Sequence, residues 1–341
     1  MAHQGGYSNQ LALFTVPTID RAIEKEEWHT FKPTGQITRE SALDFEIPKS
    51  ANYLDLQSTR LYLQVCIKKK DGTNLKQGDK VSFCNLPTCT LFRQVEVFLN
   101  QTPVGEAGIN YPYIGYLDVL LNESKTCDSR LQSELFFIDT AKNFNNVDNA
   151  NYGFVARQNY TKGSKNVELY GPLRLGLFKM NRYLLNGMSI NIKLWPAQDT
   201  FSLMSDKDNY KIEISQCFLR VKSLKMKPAL MIAHADAMKK AVSLYPYTRS
   251  DIRNFNMVKG IYSKSFEDIF QNKIPDKMVI GIIKGKSFSG QIGSNPLEFI
   301  HANVNYLNLT INSTMVTGAP LAPDYDNDNF VECYNSLFQD S

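Results

Sequence analysis

Two widely separated stretches of this chain are closely similar, namely Phe98-Leu99-Asn100-Gln101-Thr102-Pro103-Val104-Gly105-Glu106-Ala107 and Thr310-Ile311-Asn312-Ser313-Thr314-Met315-Val316-Thr317-Gly318-Ala319. Their residue numbers differ by 212 (310 − 98), and at that offset Asn, Thr, Val and Ala recur in register. Each copy leads through a loop with Pro and Tyr into a short helix-like stretch, which ends at Asn122-Glu123-Ser124 or at Gln339-Asp340-Ser341. Because a repeated sequence indicates a repeated architecture, we expect two similar units in tandem.

The two copies differ in the length of chain after them. Beyond the first copy, strand-like sequence continues from Lys125 to Met226, whereas the sequence stops soon after the second copy. Either the second unit is shortened or the chain is a fragment of a longer protein. We expect the fragment.

The bulk composition is that of an ordinary globular protein, with 341 residues, 43% hydrophobic and 21% charged. The net charge of +4 is small beside 38 Lys and Arg and 34 Asp and Glu, so the basic excess of a dedicated nucleic-acid binder is missing. The polar start from Met1 to Gln10 is unlike a secretory signal, and no apolar run has the length of a membrane span. We therefore expect neither specific nucleic-acid binding nor a membrane partner.

Strand signals dominate the sequence after the first thirty or so residues. Apolar and polar residues alternate with a period of two, as in half-buried strands, in rows that begin at Leu61, Val95, Leu173 and Met188. The long stretch from Tyr210 to Lys227 changes phase twice, which predicts β-bulges or a bend.

Helices are predicted only at connections. Tyr113 to Leu121 has helical spacing after Pro112, and Pro228 to Leu244 is the clearest helix, with Pro at its start and lysines near its end. A short helical piece is expected within the N-terminal arm, from Asp20 to Glu26. In the second unit we expect strands near 251–258, 277–283 and 304–311.

These patterns predict an all-β fold, a double jelly roll made of two tandem β-sandwich or barrel units, with the second truncated at its C-terminus. The predicted divisions are, in chain order, an N-terminal arm over 1–33, the first jelly roll over 34–227, a connecting helix over 228–246, and the N-terminal part of the second jelly roll over 247–341.

Short motifs that suggest chemistry fail on their spacing. Gly285-Lys286-Ser287 resembles the end of a phosphate-binding loop, but Ile280 stands where the first glycine is needed, so a hairpin turn after Ile283 is the better interpretation. Asp324-x-Asp326-x-Asp328 opens like a calcium loop but lacks the required Gly and Glu, and a helix-capping role is favoured.

The remaining reactive residues do not cluster in sequence. The six cysteines are scattered, and Cys84-x4-Cys89 has no second ligand pair or nearby His, so we expect free thiols in a reducing compartment rather than zinc. His234 is expected to be a partly buried packing residue of the connecting helix, and Lys222, Lys225 and Lys227 are expected to form a solvated strand face. We therefore predict no catalytic, cofactor-binding or metal-binding residues, no cofactor, and no enzyme activity.

Several segments of the chain resemble capsid proteins of the Polinton (Maverick) and adintovirus group, which includes transposon-derived copies in animal genomes. The resemblance is colinear from about Leu13 onward, and its segments are Asn110-Tyr111-Pro112-Tyr113 running into Leu120-Leu121-Asn122, Tyr160-Thr161-Lys162-Gly163-Ser164-Lys165, Asn181-Arg182-Tyr183-Leu184-Leu185-Asn186-Gly187, and Ala233-His234 leading to Tyr245-Pro246.

That resemblance implies a major capsid protein with a double jelly roll. Such a viral structural protein forms homotrimers, which serve as pseudo-hexameric capsomers of an icosahedral virion. The partners implied are further copies of this chain in the trimer and in neighbouring capsomers, together with penton or minor capsid proteins. The implied location is the virion capsid, with an intracellular stage in the cytoplasm or nucleus during assembly, and the family's chains continue beyond the position of Ser341.

Other functions stay open at this point. A host-domesticated relative that no longer assembles would keep the same fold, and a penton or minor capsid protein would need only one jelly roll. A glycan-binding jelly-roll protein would use exposed tryptophans, of which only Trp28 and Trp195 are available. An enzyme of the cupin type would need clustered metal-binding histidines, and the four here are dispersed along the chain.

Overall fold

The computed structural model describes residues 22–104, 110–123, 128–270, 273–316 and 318–338. Strands of its first part are, in chain order, β1 (Ile23–Phe31), β2 (Leu43–Ile47), β3 (Tyr53–Lys69), β4 (Val81–Phe83), β5 (Phe92–Leu99), β6 (Thr102–Pro103), β7 (Val167–Pro172), β8 (Ile190–Pro196), β9 (Leu203–Ser205) and β10 (Tyr210–Met226).

The strands form a sandwich whose pairing is nested. One four-stranded sheet has the order β1-β10-β3-β7, a second has the order β2-β8-β5-β6, and the short strands β4 and β9 pair with each other. Without β4 and β9, eight strands remain, and they pair from the outside of the sequence inward. β1 pairs with β10, β2 with β8, β3 with β7, and β5 with β6. All these pairs are antiparallel. A folded-over set of nested antiparallel pairs is the jelly-roll arrangement.

Strand alternation places the core between the two sheets. On β3, Leu61, Leu63 and Val65 are buried, whereas Tyr62 and Gln64 point outward. Inward residues from both sheets belong to one continuous apolar cluster, which includes Phe45, Leu63, Val95, Ile192 and Leu219.

The two phase changes predicted for β10 are present as irregularities in its pairing with β3. The register shifts between Ile214 and Gln216, and again between Arg220 and Lys222. An extra residue on one strand turns the following side chains to the other face, which explains the change of parity in the sequence. This prediction is confirmed.

Two local predictions in the first unit are wrong. Of the short helix expected over Asp20–Glu26, residues 20 and 21 lie outside the described residues, and Ile23 onward belongs to β1 instead, because the edge of β10 supplies a partner for its backbone groups. The expected arm over 1–33 therefore contains the first strand of the sandwich. The row Leu173, Leu175 and Leu177 is not a strand, since β7 ends at Pro172 and a 3₁₀ helix follows over Gly176–Lys179.

Helices lie at connections, as expected. They are α1 (Pro87–Thr90), α2 (Tyr111–Asn122), α3 (Asp128–Leu131), α4 (Tyr152–Thr161), α5 (Asp199–Ser202), α6 (Pro228–Met238), α7 (Gly285–Phe288) and α8 (Val331–Ser336). The helix predicted after Pro112 is confirmed as α2. The connecting helix is present as α6 but ends at Met238 rather than Leu244.

Residues 245–338 contain little regular structure among those that the structure describes. The strands expected near 251–258 and 277–283 are not formed, and Ile283 makes only an isolated bridge to Phe299. Of the strand expected over 304–311, only Thr310–Ile311 (β11) is regular, and it pairs with Thr314–Met315 (β12). A strand needs a neighbour for its backbone hydrogen bonds, and the described residues offer none to 251–258, where Met257 and Val258 stay exposed.

The repeated sequence forms the same hairpin twice. Phe98 pairs with Pro103 and Leu99 with Thr102, and at the offset of 212 Thr310 pairs with Met315 and Ile311 with Thr314. The backbone hydrogen bond that extends each hairpin is also repeated, from the Val104 amide to the Val97 carbonyl (2.9 Å) and from the Val316 amide to the Leu309 carbonyl (3.0 Å).

Both hairpin turns have the same backbone conformation. Positive φ values occur at both central residues in each, 47° and 69° at Asn100 and Gln101, and 48° and 64° at Asn312 and Ser313. Two-residue hairpins of type I′ require positive φ at both central positions, for which Asn is well suited. The sequence repeat is therefore a structural repeat.

Candidate assembly surface

An aromatic cluster joins residues 283–299 to the first sandwich. The rings of Tyr113 and Phe288 are stacked with centroids 5.9 Å apart, and those of Tyr116 and Phe299 are stacked at 6.4 Å. Phe201 contacts Tyr113 edge to face at 6.2 Å. Pairs of this kind contribute about 0.5–1.5 kcal/mol each beyond the area that they bury. Contacts between α2 and the α7 region thus hold residues 283–299 on the first sandwich.

A buried asparagine adds polar contacts to this junction. The Asn295 side-chain amide donates to Asp139 Oδ2 and to the Phe144 carbonyl, both at 3.1 Å. Its backbone amide donates to Asn145 Oδ1 at 2.7 Å. Asn295 is fully buried, so these bonds fix the position of the segment rather than compete with water.

Asp139 is in turn held by a buried arginine. Arg157 of α4 donates to Asp139 Oδ1 (2.7 Å), to the Phe83 carbonyl (2.9 Å) and to the Phe137 carbonyl (2.7 Å). The side chains of Arg157 and Asp139 are 0% and 1% exposed. One ion pair thus ties the end of β4, the segment before α4 and the docked Asn295 together.

A second buried ionic network lies beneath α2. Arg174 donates to Glu134 Oε1 (2.6 Å), to Asp118 Oδ2 (3.3 Å) and to Glu123 Oε1 (3.2 Å). Burial raises the pKa of Glu134 above its ordinary value, although Arg174 opposes that shift. The Thr88 hydroxyl completes the site by donating to Glu134 Oε2 at 2.8 Å. Arg174 is thus the cation shared by three carboxylates, of which Asp118 also pairs with Lys179 and Glu123 also pairs with Arg130.

The connector after β10 is anchored by residues from two segments that resemble the capsid family. Tyr53 and His234 of α6 are joined by a hydrogen bond of 2.9 Å between the hydroxyl and Nδ1. The Leu185 amide donates to the Tyr245 hydroxyl at 3.0 Å, and Arg182 donates to the Leu244 carbonyl at 2.5 Å. The expectation that His234 is a partly buried packing residue is confirmed.

A glycine allows the chain beyond the connector to lie against the sandwich. A Cβ atom at Gly176 would lie 1.8 Å from the Thr248 carbonyl oxygen and 3.0 Å from the Tyr247 ring. A side chain at this position would therefore displace the backbone that leads into the second unit.

The cysteines that were considered for zinc lie in different clusters. Cys84 packs with Phe154 and Met204, whereas Cys89 belongs to the main core. Burial raises the pKa of the Cys89 thiol to about 12 and raises that of Cys84 as well. Among the described residues, no group of three or more His, Cys, Asp or Glu side chains is arranged to hold a metal ion.

The two motifs whose spacing does not fit a phosphate-binding loop or a calcium loop have structural roles that differ from those expected. Gly285-Lys286-Ser287 forms most of α7 rather than a hairpin turn, because the Ser287 and Phe288 amides donate to the Lys284 carbonyl. Asp324 does not cap α8, since its carboxylate accepts from the Asn327 backbone and side-chain amides at 3.2 and 2.7 Å. The Asn327 hydrogen bond lowers the pKa of Asp324.

Lysines of β10 pair with glutamates of β1. Lys222 Nζ lies 2.6 Å from Glu26 Oε2, and Lys225 Nζ lies 3.3 Å from Glu24 Oε1. These pairs place the lysines on a solvated strand face next to acidic residues, which agrees with the interpretation from the sequence.

The two tryptophans lie on the outer faces of opposite sheets. Arg220 covers the ring of Trp28 at 5.6 Å, and Arg93 covers that of Trp195 at 5.7 Å. The Trp195 indole also donates to Glu96 at 3.2 Å. Both rings are thus engaged by neighbouring cations rather than grouped at one glycan-sized site.

No protein-family model matches the chain. The uncharacterized protein F54H12.2 of Caenorhabditis elegans is 19% identical to it over 94% of this chain and 78% of that protein.

The chain is also similar to solved viral structures. A chain of the Sputnik virophage has a TM-score of 0.46 at 14% identity, over 67% of this chain and 53% of the viral chain. The Faustovirus major capsid protein has a TM-score of 0.45 at 11% identity, over 67% and 59%. A chain of the PBCV-1 virus capsid has a TM-score of 0.41 at 9% identity, over 65% and 47%. This chain thus spans about half the length of these solved chains.

Apolar residues on α8 and just beyond its end at Ser336 are exposed. Val331, Tyr334 and Phe338 are 65%, 57% and 48% exposed, and the Tyr334 and Phe338 rings are 5.3 Å apart. No helix among the described residues combines the length and apolar character needed to cross a membrane.

Sequence reasoning missed the residues that hold segment 283–299 on the first sandwich. Arg157, Asp139 and Asn295 belong to no motif, and Asn295 lies 156 positions from Asp139. Phe288 and Phe299 do not fall in a periodic pattern of apolar residues. One sequence signal could have found these networks. A polar residue that stands among apolar residues of the first unit is expected to be buried and hydrogen-bonded.

Proposed function

We propose that this chain is a major capsid protein whose two units build a pseudo-hexameric capsomer as a homotrimer. The observation that carries the proposal is the nested pairing of the first unit together with the repeated hairpin in the second. A chain with two related units supplies six comparable flanks when three copies meet. The double jelly roll, trimerisation and icosahedral shell are part of this proposal.

The interior of the first unit suits a structural role. Its apolar core is continuous, and its buried charges, Arg157 with Asp139 and Arg174 with Glu134, neutralise one another. These ion pairs stabilise positions in the interior, whereas most of the exposed large apolar side chains among the described residues lie beyond residue 246, in the part proposed to contact neighbouring chains.

The residues of the capsid-family resemblance support the same function. Two of the resembling segments meet at the connector, where Arg182 and Leu185 contact Leu244 and Tyr245. These contacts orient the second unit relative to the first, which a tile of fixed outline requires. On this proposal the chain is not an enzyme, works in the virion capsid, and contacts neighbouring capsomers and penton or minor capsid proteins.

The test is the assembly state of the chain as it exists. We expect the protein, with a subunit mass of 38.8 kDa, to elute as a trimer by light scattering and to give six-lobed particles in electron microscopy. A monomer at every concentration up to ~100 μM would contradict the proposal, since stable interfaces of ordinary size hold well below that range. Glycan-array binding by such a monomer would favour the glycan-binding alternative instead.

A further inference from the structure

The structural repeat extends from the two hairpins into the strands that lead to them. At the offset of 212, Val95 and Val97 of β5 correspond to Leu307 and Leu309. Val95 and Val97 are buried, whereas Leu307 and Leu309 are only half-buried. In the first unit β8 pairs with β5 along one side, and among the described residues no strand occupies the equivalent side of residues 306–312. The second hairpin therefore has a free strand edge where the first has β8.

The backbone groups on this edge have no partners among the described residues. The Leu309 carbonyl accepts from the Val316 amide, so Leu309 faces the second strand of its own hairpin. Because successive residues of an antiparallel strand direct their hydrogen bonds to opposite neighbours, the backbone groups of Asn308, Thr310 and Asn312 face the free edge. Within the described ranges none of these three residues forms a backbone hydrogen bond. A row of unpaired backbone groups is a template for a further strand.

The first unit shows how such an edge is completed. The Asn100 amide donates to the Ser189 carbonyl at 3.0 Å, and Asn100 Oδ1 accepts from the Ser189 amide at 3.1 Å. From there β8 runs antiparallel to β5, with its buried aliphatic row on the core side, namely Ile190, Ile192 and Leu194. The partner of this edge is thus a strand whose aliphatic residues alternate with others that face outward.

The free edge has the same pattern as the strand that completes the first one. Residues 189–195 read Ser-Ile-Asn-Ile-Lys-Leu-Trp, and residues 306–312 read Tyr-Leu-Asn-Leu-Thr-Ile-Asn. The second, fourth and sixth residues are aliphatic in both, and the third is Asn in both. Residues 306–312 therefore combine a β5-like edge with a β8-like sequence, so two copies of this edge are complementary to each other.

We propose that residues 306–312 of two copies of this chain pair antiparallel about a two-fold axis, each copy taking the place that β8 has in the first unit. In the register of β8 on β5, Tyr306 of one copy lies opposite Asn312 of the other, and Leu309 lies opposite Leu309. The two hairpins then form one four-stranded sheet, and the half-buried aliphatic rows of both copies lie side by side. Backbone hydrogen bonds supply the affinity of such strand addition, and alternate side chains supply its specificity.

The contact goes beyond the proposed capsomer. A two-fold contact cannot relate the three subunits of a trimer, so within that proposal it joins neighbouring capsomers. One strand from each copy is fewer than the roughly 20–30 residues that each partner of a stable interface contributes. A single pair of edges therefore associates weakly, and several such contacts between the same capsomers act together.

Engineered disulfides test the two-fold axis and the register, in a chain that carries Cys127→Ser and Cys333→Ser and so keeps only buried native thiols. Leu309→Cys places two thiols directly opposite each other, with Cα atoms about 4.5 Å apart, within disulfide reach. Ile311→Cys is the matched control, since its two thiols would be about 13 Å apart along the strands. We expect at least 10-fold more disulfide-linked dimer for Leu309→Cys, and heterodimers when Leu307→Cys and Ile311→Cys are mixed. Equal yields for the variant and its control would overturn the proposal.

Hydrogen exchange of the unmodified protein is the second test. The amides of Asn308 and Thr310 should exchange at least 10-fold more slowly at ~500 μM than at ~5 μM protein, because they are hydrogen-bonded only in the paired state. The Val316 amide bonds within the hairpin, so it is the internal control and should not change. Exchange that is independent of concentration would overturn the proposal. If it is fast the edge stays unpaired, and if it is slow the chain's own residues cover the edge.

The outcomes separate this inference from the proposed function. Trimers that show neither the disulfide nor the protection refute the inference alone. Two-fold dimers that never form trimers refute the proposed capsomer alone.

Discussion

At the scale of single residues, buried polar groups fix the interior of the first unit and the docking of the second. Arg157 forms an ion pair with Asp139 and donates hydrogen bonds to two backbone carbonyls, and its side chain is not exposed to solvent. Such pairs specify one arrangement, because removal of either partner leaves a buried charge without compensation.

Arg157→Ala should therefore destabilise the protein by about 3–5 kcal/mol, since Asp139 would remain buried and unpaired. The measurement is urea unfolding followed by circular dichroism. Lys225→Ala is the control, because the Lys225–Glu24 pair is on the surface and its loss should change stability by about 0–1 kcal/mol. A loss of stability for Arg157→Ala no larger than that of the control would contradict the role of this network.

Gly176 should tolerate no side chain. In Gly176→Ala the added Cβ meets the Thr248 carbonyl, so residues near 248 must move away from the sandwich. We expect faster proteolysis and faster hydrogen exchange around 245–250, with the core strands unchanged. Gly78→Ala, where a Cβ meets nothing within 4 Å, is the control and should leave both rates as they are.

The buried thiols should be inert in the folded protein. Burial raises the pKa of Cys89 to about 12, so below pH 9 the reactive thiolate is scarcely formed in the native state, and access is blocked as well. We expect labelling by iodoacetamide at pH 8 to modify the partly exposed Cys333 first and Cys84, Cys89 and Cys217 only after denaturation. Rapid native labelling of Cys89 would show that the core opens readily.

At the scale of elements, the repeated hairpin shows how a few residues specify a turn. Asn100 and Asn312 occupy the same first central position with φ values of 47° and 48°. β-Branched residues adopt this region only with strain, whereas Gly adopts it freely.

Asn100→Val should destabilise the first unit by about 1–2 kcal/mol through strain in the turn, whereas Asn100→Gly should cost less, because it keeps the turn conformation and loses only side-chain bonds such as those that the Ser189 amide and hydroxyl donate to Asn100 Oδ1. Asn312→Val makes the same change in a hairpin with two pairs and little burial around it, so its cost to global unfolding should be smaller. Thermal unfolding of the four proteins, wild type included, gives the comparison. An equal and large effect at both sites would mean that the second hairpin belongs to the same cooperative unit.

Element prediction from sequence succeeded where an element carried its own periodic signal. β3, β5, β8, α2 and both irregularities of β10 were predicted, because inward and outward residues alternate against one core. It failed for β1, whose charged sequence is strand only because β10 lies beside it. It also failed at 251–258, where strand-like sequence has no partner strand among the described residues. The alternation of apolar and polar residues can be read within one strand, whereas the strand that pairs with it can lie anywhere in the chain.

At the scale of the whole molecule, the junction between the units was beyond the reach of sequence reasoning. Its ring contacts join Tyr113 and Tyr116 of α2 to Phe288 and Phe299, at least 175 positions (288 − 113) further along the chain. The repeat predicted a second unit, whereas the contact of residues 283–299 with α2 is visible only in three dimensions.

Phe299→Ala should uncouple the two units more than it unfolds the first. Loss of the ring removes stacking on Tyr116 and an edge contact with Tyr113. A Phe→Ala substitution at a fully buried site lowers stability by about 3–5 kcal/mol, and the loss here should be smaller because Phe299 is only partly buried. We expect faster hydrogen exchange across residues 283–299 with little change in β3 or β10. Phe255→Ala, at an exposed phenylalanine, is the control and should leave exchange in this segment unchanged.

The pairing of β1 with β10 has a consequence for synthesis on the ribosome. Ile23 pairs with Met226, so the two partners are separated by 203 positions (226 − 23). At typical elongation rates, the first strand leaves the exit tunnel about 10–40 s before its partner does. During that interval β1 lacks the strand that pairs with it. A chaperone that binds exposed strand edges would therefore have β1 as its target.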